Sequence, residues 1–155
     1  MAASKVHITL RVMTADDYDG VYDLWKRTSG FALRSTDDSR EYVERFLRRN
    51  PTTSVVALDG ERIVGTILCG HDGRQGSMYH VAVDSDYREH HIGRKMVDFC
   101  LEALKAEKIS KVTLVAFESN EGGNRFWQRL GWIPRPDLNT YEIIIGDDYV
   151  IHVVD

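Results

Sequence analysis

Val81-Ala82-Val83-Asp84-Ser85-Asp86-Tyr87-Arg88-Glu89-His90-His91-Ile92-Gly93-Arg94 joins an apolar, β-rich run to the start of a helix through a polar loop. Downstream, Ile92, Met96, Val97, Cys100, Leu101 and Leu104 recur at helical spacing, while Lys95, Asp98, Glu102 and Lys105 fall on the opposite face. A strand feeding a helix start presents unpaired amides at the positive end of the helix dipole, and the two together hold phosphate oxygens. Arg88, Arg94 and Lys95 add positive charge, and Gly93 lets the backbone approach an anion with no Cβ in the way.

The chain on the N-terminal side supplies the rest of a mixed architecture. Val6, Ile8, Leu10 and Val12 alternate as a half-buried first strand, and Thr14 with Asp17 resembles a capping box for a helix from about Ala15 to Lys26, with Gly30 as its breaker. Ser29 to Thr36 reads as a loop. A second cap signal at Asp38-Ser39-Arg40-Glu41 opens a short amphipathic helix on Tyr42, Val43, Phe46 and Leu47, which Asn50-Pro51 stops. Ser54 to Leu58 and Glu61 to Leu68 flank Asp59-Gly60, a pair suited to the positive φ angles of a type I′ hairpin turn. Met78 to Val83 follows as a third strand after a glycine-rich turn.

Beyond the long helix, Lys111 to Phe117 reads as a strand, Asn120 caps a helix to about Leu130, and Gly131 ends it. Tyr141 to Ile145 and Tyr149 to Val154 are β-rich around Gly146-Asp147-Asp148. The order β-α-α-β-β-β-α-β-α-β predicts one domain over residues 1–155, a mixed sheet flanked by helices. The last run is too apolar for a loose tail and is expected to pair with a sheet edge in its own or a partner chain, which favours a homodimer.

Composition bounds the function. With 155 residues, 43 % hydrophobic and 28 % charged, the chain has the make-up of a folded soluble domain. A net charge of −4 argues against a general nucleic-acid binder, and Arg45, Arg48 and Arg49 read as the solvated face of a helix. No apolar run approaches the roughly 18 residues of a membrane span. Two cysteines, Cys69 and Cys100, make neither a disulfide framework nor a cysteine-based zinc site, so reduced thiols in a cytoplasmic protein without a metal are expected.

Two blocks carry a resemblance to a known family. Arg88-Glu89-His90-His91-Ile92-Gly93 resembles the pyrophosphate-binding motif Arg/Gln-x-x-Gly-x-Gly/Ala of the GNAT acyltransferases. Asn120-Glu121-Gly122-Gly123-Asn124-Arg125-Phe126-Trp127-Gln128-Arg129-Leu130-Gly131-Trp132 is similar to that family's Asn-x-x-Ala-x-x-Phe-Tyr-x-x-x-Gly-Phe. The element order matches over about residues 6 to 145. The resemblance implies an α/β (α+β) GNAT fold, a mixed, mostly antiparallel twisted sheet of six to seven strands flanked by about four helices. It also implies transfer of an acetyl group from acetyl-CoA to a primary amine of a small molecule or protein.

On that resemblance Arg88, Glu89, His91, Gly93 and Arg94 would cradle the pyrophosphate. Val81 and Val83 would offer backbone amides to the pantetheine arm and the thioester carbonyl, and Asn120 and Trp127 would also meet the cofactor. Two positions depart from the pattern. His91 replaces a usual glycine and must take its dihedral angles, and Trp127 replaces the tyrosine that protonates the departing thiolate, a task indole cannot perform. A non-catalytic acyl-CoA-binding module is therefore the alternative.

An alkylammonium must lose a proton before it attacks, so a base is wanted near Val81. His80 and Glu118 are the candidates. Strand alternation puts Met78, His80 and Ala82 on one face and Tyr79, Val81 and Val83 on the other, without saying which meets substrate. On the acceptor side, Asp37 and Asp38 read either as attractors of a cationic amine or as a helix start.

Overall fold

The computed structural model of the protein describes residues 6–28, 32–146 and 151–153. Strands β1 (Ile8–Val12), β3 (Val55–Asp59), β4 (Arg62–His71), β5 (Gly76–Val83) and β6 (Val112–Thr113) form one sheet in the order β1-β3-β4-β5-β6. Every pairing in it is antiparallel except that of β5 with β6. Helices α1 (Tyr18–Lys26) and α2 (Arg40–Arg49) precede the central hairpin, α3 (Ile92–Ala106) follows β5, and α4 (Glu121–Arg129) follows β6. Strands β2 (Ala32–Arg34) and β7 (Ile151–Val153) pair antiparallel as a separate two-stranded ribbon.

Local chemistry explains most of these boundaries. The Thr14–Asp17 capping box is formed, and a 3₁₀ turn over Ala15–Asp17 leads into α1. The Ser39 hydroxyl accepts the Tyr42 amide and caps α2. Gly60, at φ +61°, turns the β3–β4 hairpin in the left-handed region where glycine pays no Cβ penalty.

The sheet is buried on both faces. Val56, Leu58, Leu68 and Ala82 pack with Val21, Leu24 and Trp25 of α1, whereas Val55, Ala57, Ile67 and Met78 pack with Met96, Val97 and Leu104 of α3. Each fully buried aliphatic or aromatic side chain in these layers contributes roughly 1.5–3 kcal/mol of transfer free energy. Cys69 and Cys100 are both unbridged and buried on the α3 side. Contact with Cys69, together with burial, pushes the Cys100 thiol up, so it stays protonated.

Several expectations are corrected. Among the described residues the strands divide into a sheet of five and a ribbon of two, where one sheet of six to seven was expected. β2 lies inside the stretch read as a loop, because its extended backbone gains a partner from the far end of the sequence. Only Val112–Thr113 of the run Lys111 to Phe117 is strand. Tyr141 to Ile145 forms no strand despite its β-rich composition: Tyr141, Ile143 and Ile145 are exposed, so the side-chain packing that β propensity reflects is missing. Gly30 as helix breaker, and Tyr149, Val150 and Val154 of the last run, lie outside the described residues.

Candidate active site

The loop between β5 and α3 hangs from one carboxylate. Asp84, 4 % exposed, accepts the Asp86 amide at 2.9 Å on Oδ1, and Oδ2 accepts the guanidinium groups of Arg27 at 2.9 Å and Arg62 at 3.0 Å. Its own amide donates to Val64 O at 2.8 Å. Burial opposes ionisation, but the amide and the two arginines outweigh it and hold the Asp84 carboxyl below the usual aspartate range. Sequence reading passed over Asp84, whose only signal was its place at the strand exit.

Beyond it the backbone takes left-handed angles at Glu89 (φ +73°) and His91 (φ +57°), so the histidine accepts the conformation the motif demands. His91 is the N-cap of α3 but gives no side-chain cap. The Lys95 amide donates to His91 O at 3.1 Å, which leaves the amides of Ile92, Gly93 and Arg94 without intrahelical acceptors. α2 and α4 are capped by Ser39 and Asn120; α3 has neither a cap bond nor an acid in its first turn. Arg88, Glu89, His91 and Arg94 are all exposed around this opening. A Cβ at Gly93 would stand 3.1 Å from the Phe126 ring and 3.8 Å from Val83, so β5, α3 and α4 converge on this glycine.

The ladder from β5 to β6 ends at Ser77–Thr113, and residues 79–83 have no ladder partner on that side among the described residues. Val81 and Val83 line this open edge and pack toward α3. Asn120 caps α4 by accepting the Gly123 amide at 3.0 Å. Asn124, which sequence reading did not single out, donates to Phe117 O at 3.1 Å and Asn120 O at 2.9 Å, tying the exit of β6 to α4. Trp127 is half-buried between Phe126, at a ring separation of 5.0 Å, and Trp132, at 4.8 Å. Glu118 is exposed, and its carboxylate has no partner among the described residues.

His80 departs most from expectation. Thr66 pairs with Ala82 and Leu68 with Tyr79, so His80 and Val81 together oppose Ile67 in a β-bulge, with His80 at φ +50°. The extra residue reverses the alternation. Met78 packs toward α3 and Ala82 toward α1, so they do not share a face, and His80 lies on the α1 side. Its ring meets Trp25 at 4.9 Å between centroids, and Nε2 lies 2.8 Å from Asp38 Oδ1. Trp25 Nε1 is buried with no hydrogen-bond partner among the described residues.

Asp38 itself is buried: Oδ2 accepts the Arg34 amide at 2.7 Å, and its carbonyl oxygen accepts the Tyr18 hydroxyl at 2.7 Å. Burial, with Tyr22 beside it, pushes the Tyr18 hydroxyl up to about 12, so it remains a donor at neutral pH. Asp37 stays at the surface near Arg34. The arrangement thus pairs an uncapped helix start and an open strand edge with an imidazole–carboxylate pair at the bulge of the same strand. Among the described residues no cluster of histidine, cysteine, aspartate and glutamate has the make-up of a metal site.

The family model for the acetyltransferase (GNAT) family matches residues 18–132. Acetyltransferase ECA0875 of Pectobacterium atrosepticum is 30 % identical over 121 residues, covering 78 % of this chain and 84 % of that protein. The chain belongs to the acetyltransferase (GNAT) family. Solved structures share the fold at lower identity. The ribosomal-protein-S18-alanine N-acetyltransferase from Escherichia coli superposes with a TM-score of 0.68 at 16 % identity, covering 81 % of this chain and 77 % of that one. A chain of the NatC complex bound to Gag peptide and CoA gives 0.67 at 18 % identity, over 80 % and 83 % respectively.

Proposed function

We propose that the protein is an N-acetyltransferase that takes acetyl-CoA and a primary amine, of a small molecule or of a protein, and joins them by direct attack. The observation that carries this reading is the opening of the β5–β6 ladder beside a helix start that carries no cap of its own. Acetyl-CoA fits there as substrate: Ile92, Gly93 and Arg94 amides with the Arg88 and Arg94 side chains toward the pyrophosphate, the 79–83 edge toward the arm, and Asn120 and Trp127 beside it. Bound there, it supplies the activated acyl carbon. Amides at the β5 edge polarise its carbonyl, and His80 takes the ammonium proton. Glu118, exposed and unpaired, is the weaker base.

A protein amino group as acceptor is supported by the fold shared with the S18-alanine enzyme and the peptide-bound NatC chain. Two buried thiols suit the reducing cytoplasm. The exposed Tyr141, Ile143 and Ile145 suit a second copy of the chain as partner. Trp127 in place of a tyrosine favours the second reading, a binding module that has lost transfer chemistry. Release of free thiol from acetyl-CoA across a panel of amines and peptides tests the choice. Acceptor-dependent release is expected; tight acetyl-CoA binding with no release across the panel would favour the module.

A further inference from the structure

We propose that Asp38 is the positioning residue of this site, a carboxylate that sets which nitrogen of His80 is basic. The proposal rests on His80 as the base. Two adjacent acids before a helix ordinarily serve as its cap, but here Ser39 performs that task and leaves Asp38 for another. Asp38 turns inward instead. Its Oδ2 is held by the Arg34 amide, its carbonyl by Tyr18 of α1, and its Oδ1 faces His80 Nε2 at 2.8 Å.

A carboxylate oxygen only accepts, so the hydrogen between Asp38 and the ring belongs to Nε2, and Nδ1 is the basic nitrogen. Flipping the ring would forfeit this bond within a pocket where His80 is 14 % and Asp38 5 % exposed. The bulge is what delivers the ring to this side of β5. In the step served, the ammonium gives one proton to Nδ1, and the imidazolium formed is stabilised by the facing carboxylate. The neutral amine then bonds to the thioester carbon, the C–S bond breaks with its electron pair on sulfur, and the second nitrogen proton leaves to solvent.

The groups around the ring define the test. Asp38→Asn retains an oxygen for the Arg34 amide but offers an NH₂ to the ring, which turns the tautomer over. Long-range ¹H–¹⁵N spectra of the labelled protein should show His80 protonated on Nε2 in the wild type and on Nδ1 in Asp38→Asn. With an amine that the wild type acetylates, Asp38→Asn should lower kcat by roughly 10- to 1,000-fold. KM for acetyl-CoA should hold, and no further loss should follow in a His80→Gln background.

An Nδ1–H tautomer in the wild type overturns the proposal without recourse to any variant. So does an Asp38→Asn loss as large in the His80→Gln background as in the wild type, with His80→Gln itself impaired. A fully active His80→Gln would instead remove His80 as base, and the role of Asp38 with it.

Discussion

Trp127 stands where the family pattern has its acid, yet its indole packs between Phe126 and Trp132, and its N–H can donate a hydrogen bond but is not acidic enough to protonate a thiolate. Trp127→Phe is therefore expected to keep at least about a third of kcat, losing packing rather than chemistry. Steady-state rates with acetyl-CoA affinity measured in parallel check this. Asp17 and Asp84 make a different residue-level prediction. Burial opposes ionisation of both, but Arg11 and the Thr14 amide for Asp17, and the Asp86 amide and Arg27 for Asp84, hold their carboxyls below the ordinary 3.8. As pH falls the unfolded chain takes protons first, so the stability they contribute is complete above about pH 5 and is lost as pH drops through the depressed values. Asp84→Asn should cost about 1–3 kcal/mol at pH 7 and flatten the acid limb of the thermal midpoint against pH.

At the scale of elements, the start of α3 makes the sharpest prediction. Gly93→Asp places a Cβ 3.1 Å from Phe126 and a negative charge among the amides of the first turn. Acetyl-CoA affinity should fall by tenfold or more by calorimetry, on the order of 1.4 kcal/mol. Arg45→Ala, on the exposed face of α2, should leave it unchanged. The motif at this helix start was legible because it is local: a glycine, flanking arginines and a helical apolar stripe within twenty residues. The β3–β4 hairpin was legible for the same reason. What sequence hid was non-local. One extra residue at His80–Val81 inverts the face of a strand, and nothing in the period-two pattern of residues 76–83 announces it. The pairing of Ala32–Arg34 with residues 151–153 joins segments more than a hundred positions apart, and Asp38 gained its meaning only when His80 came to meet it.

For the whole molecule, the distribution of apolar surface sets the expectation for assembly. Tyr141, Ile143 and Ile145 are 89 %, 85 % and 93 % exposed, and β6 forms an edge of the five-stranded sheet. Large apolar side chains exposed close together in sequence are expected to serve as an interaction surface. Sedimentation should show a dimer, and Tyr141→Lys with Ile143→Lys should return it to a monomer with acetyl-CoA binding intact. A monomeric wild type at micromolar concentration would remove the second copy as the partner.

The β2–β7 ribbon gives the molecule two tiers of permanence. Three paired residues on each strand have few interstrand bonds, whereas the five-stranded sheet is sandwiched between helices, so the ribbon should open at far lower free energy. Amide deuterium uptake would show it: Leu33 should exchange orders of magnitude faster than Val56 or Ile67. Asp38 follows this ribbon in the chain, while the amides of α3 belong to the slower tier. Opening of the ribbon is therefore expected to loosen the surroundings of Asp38 while the first turn of α3 keeps its shape.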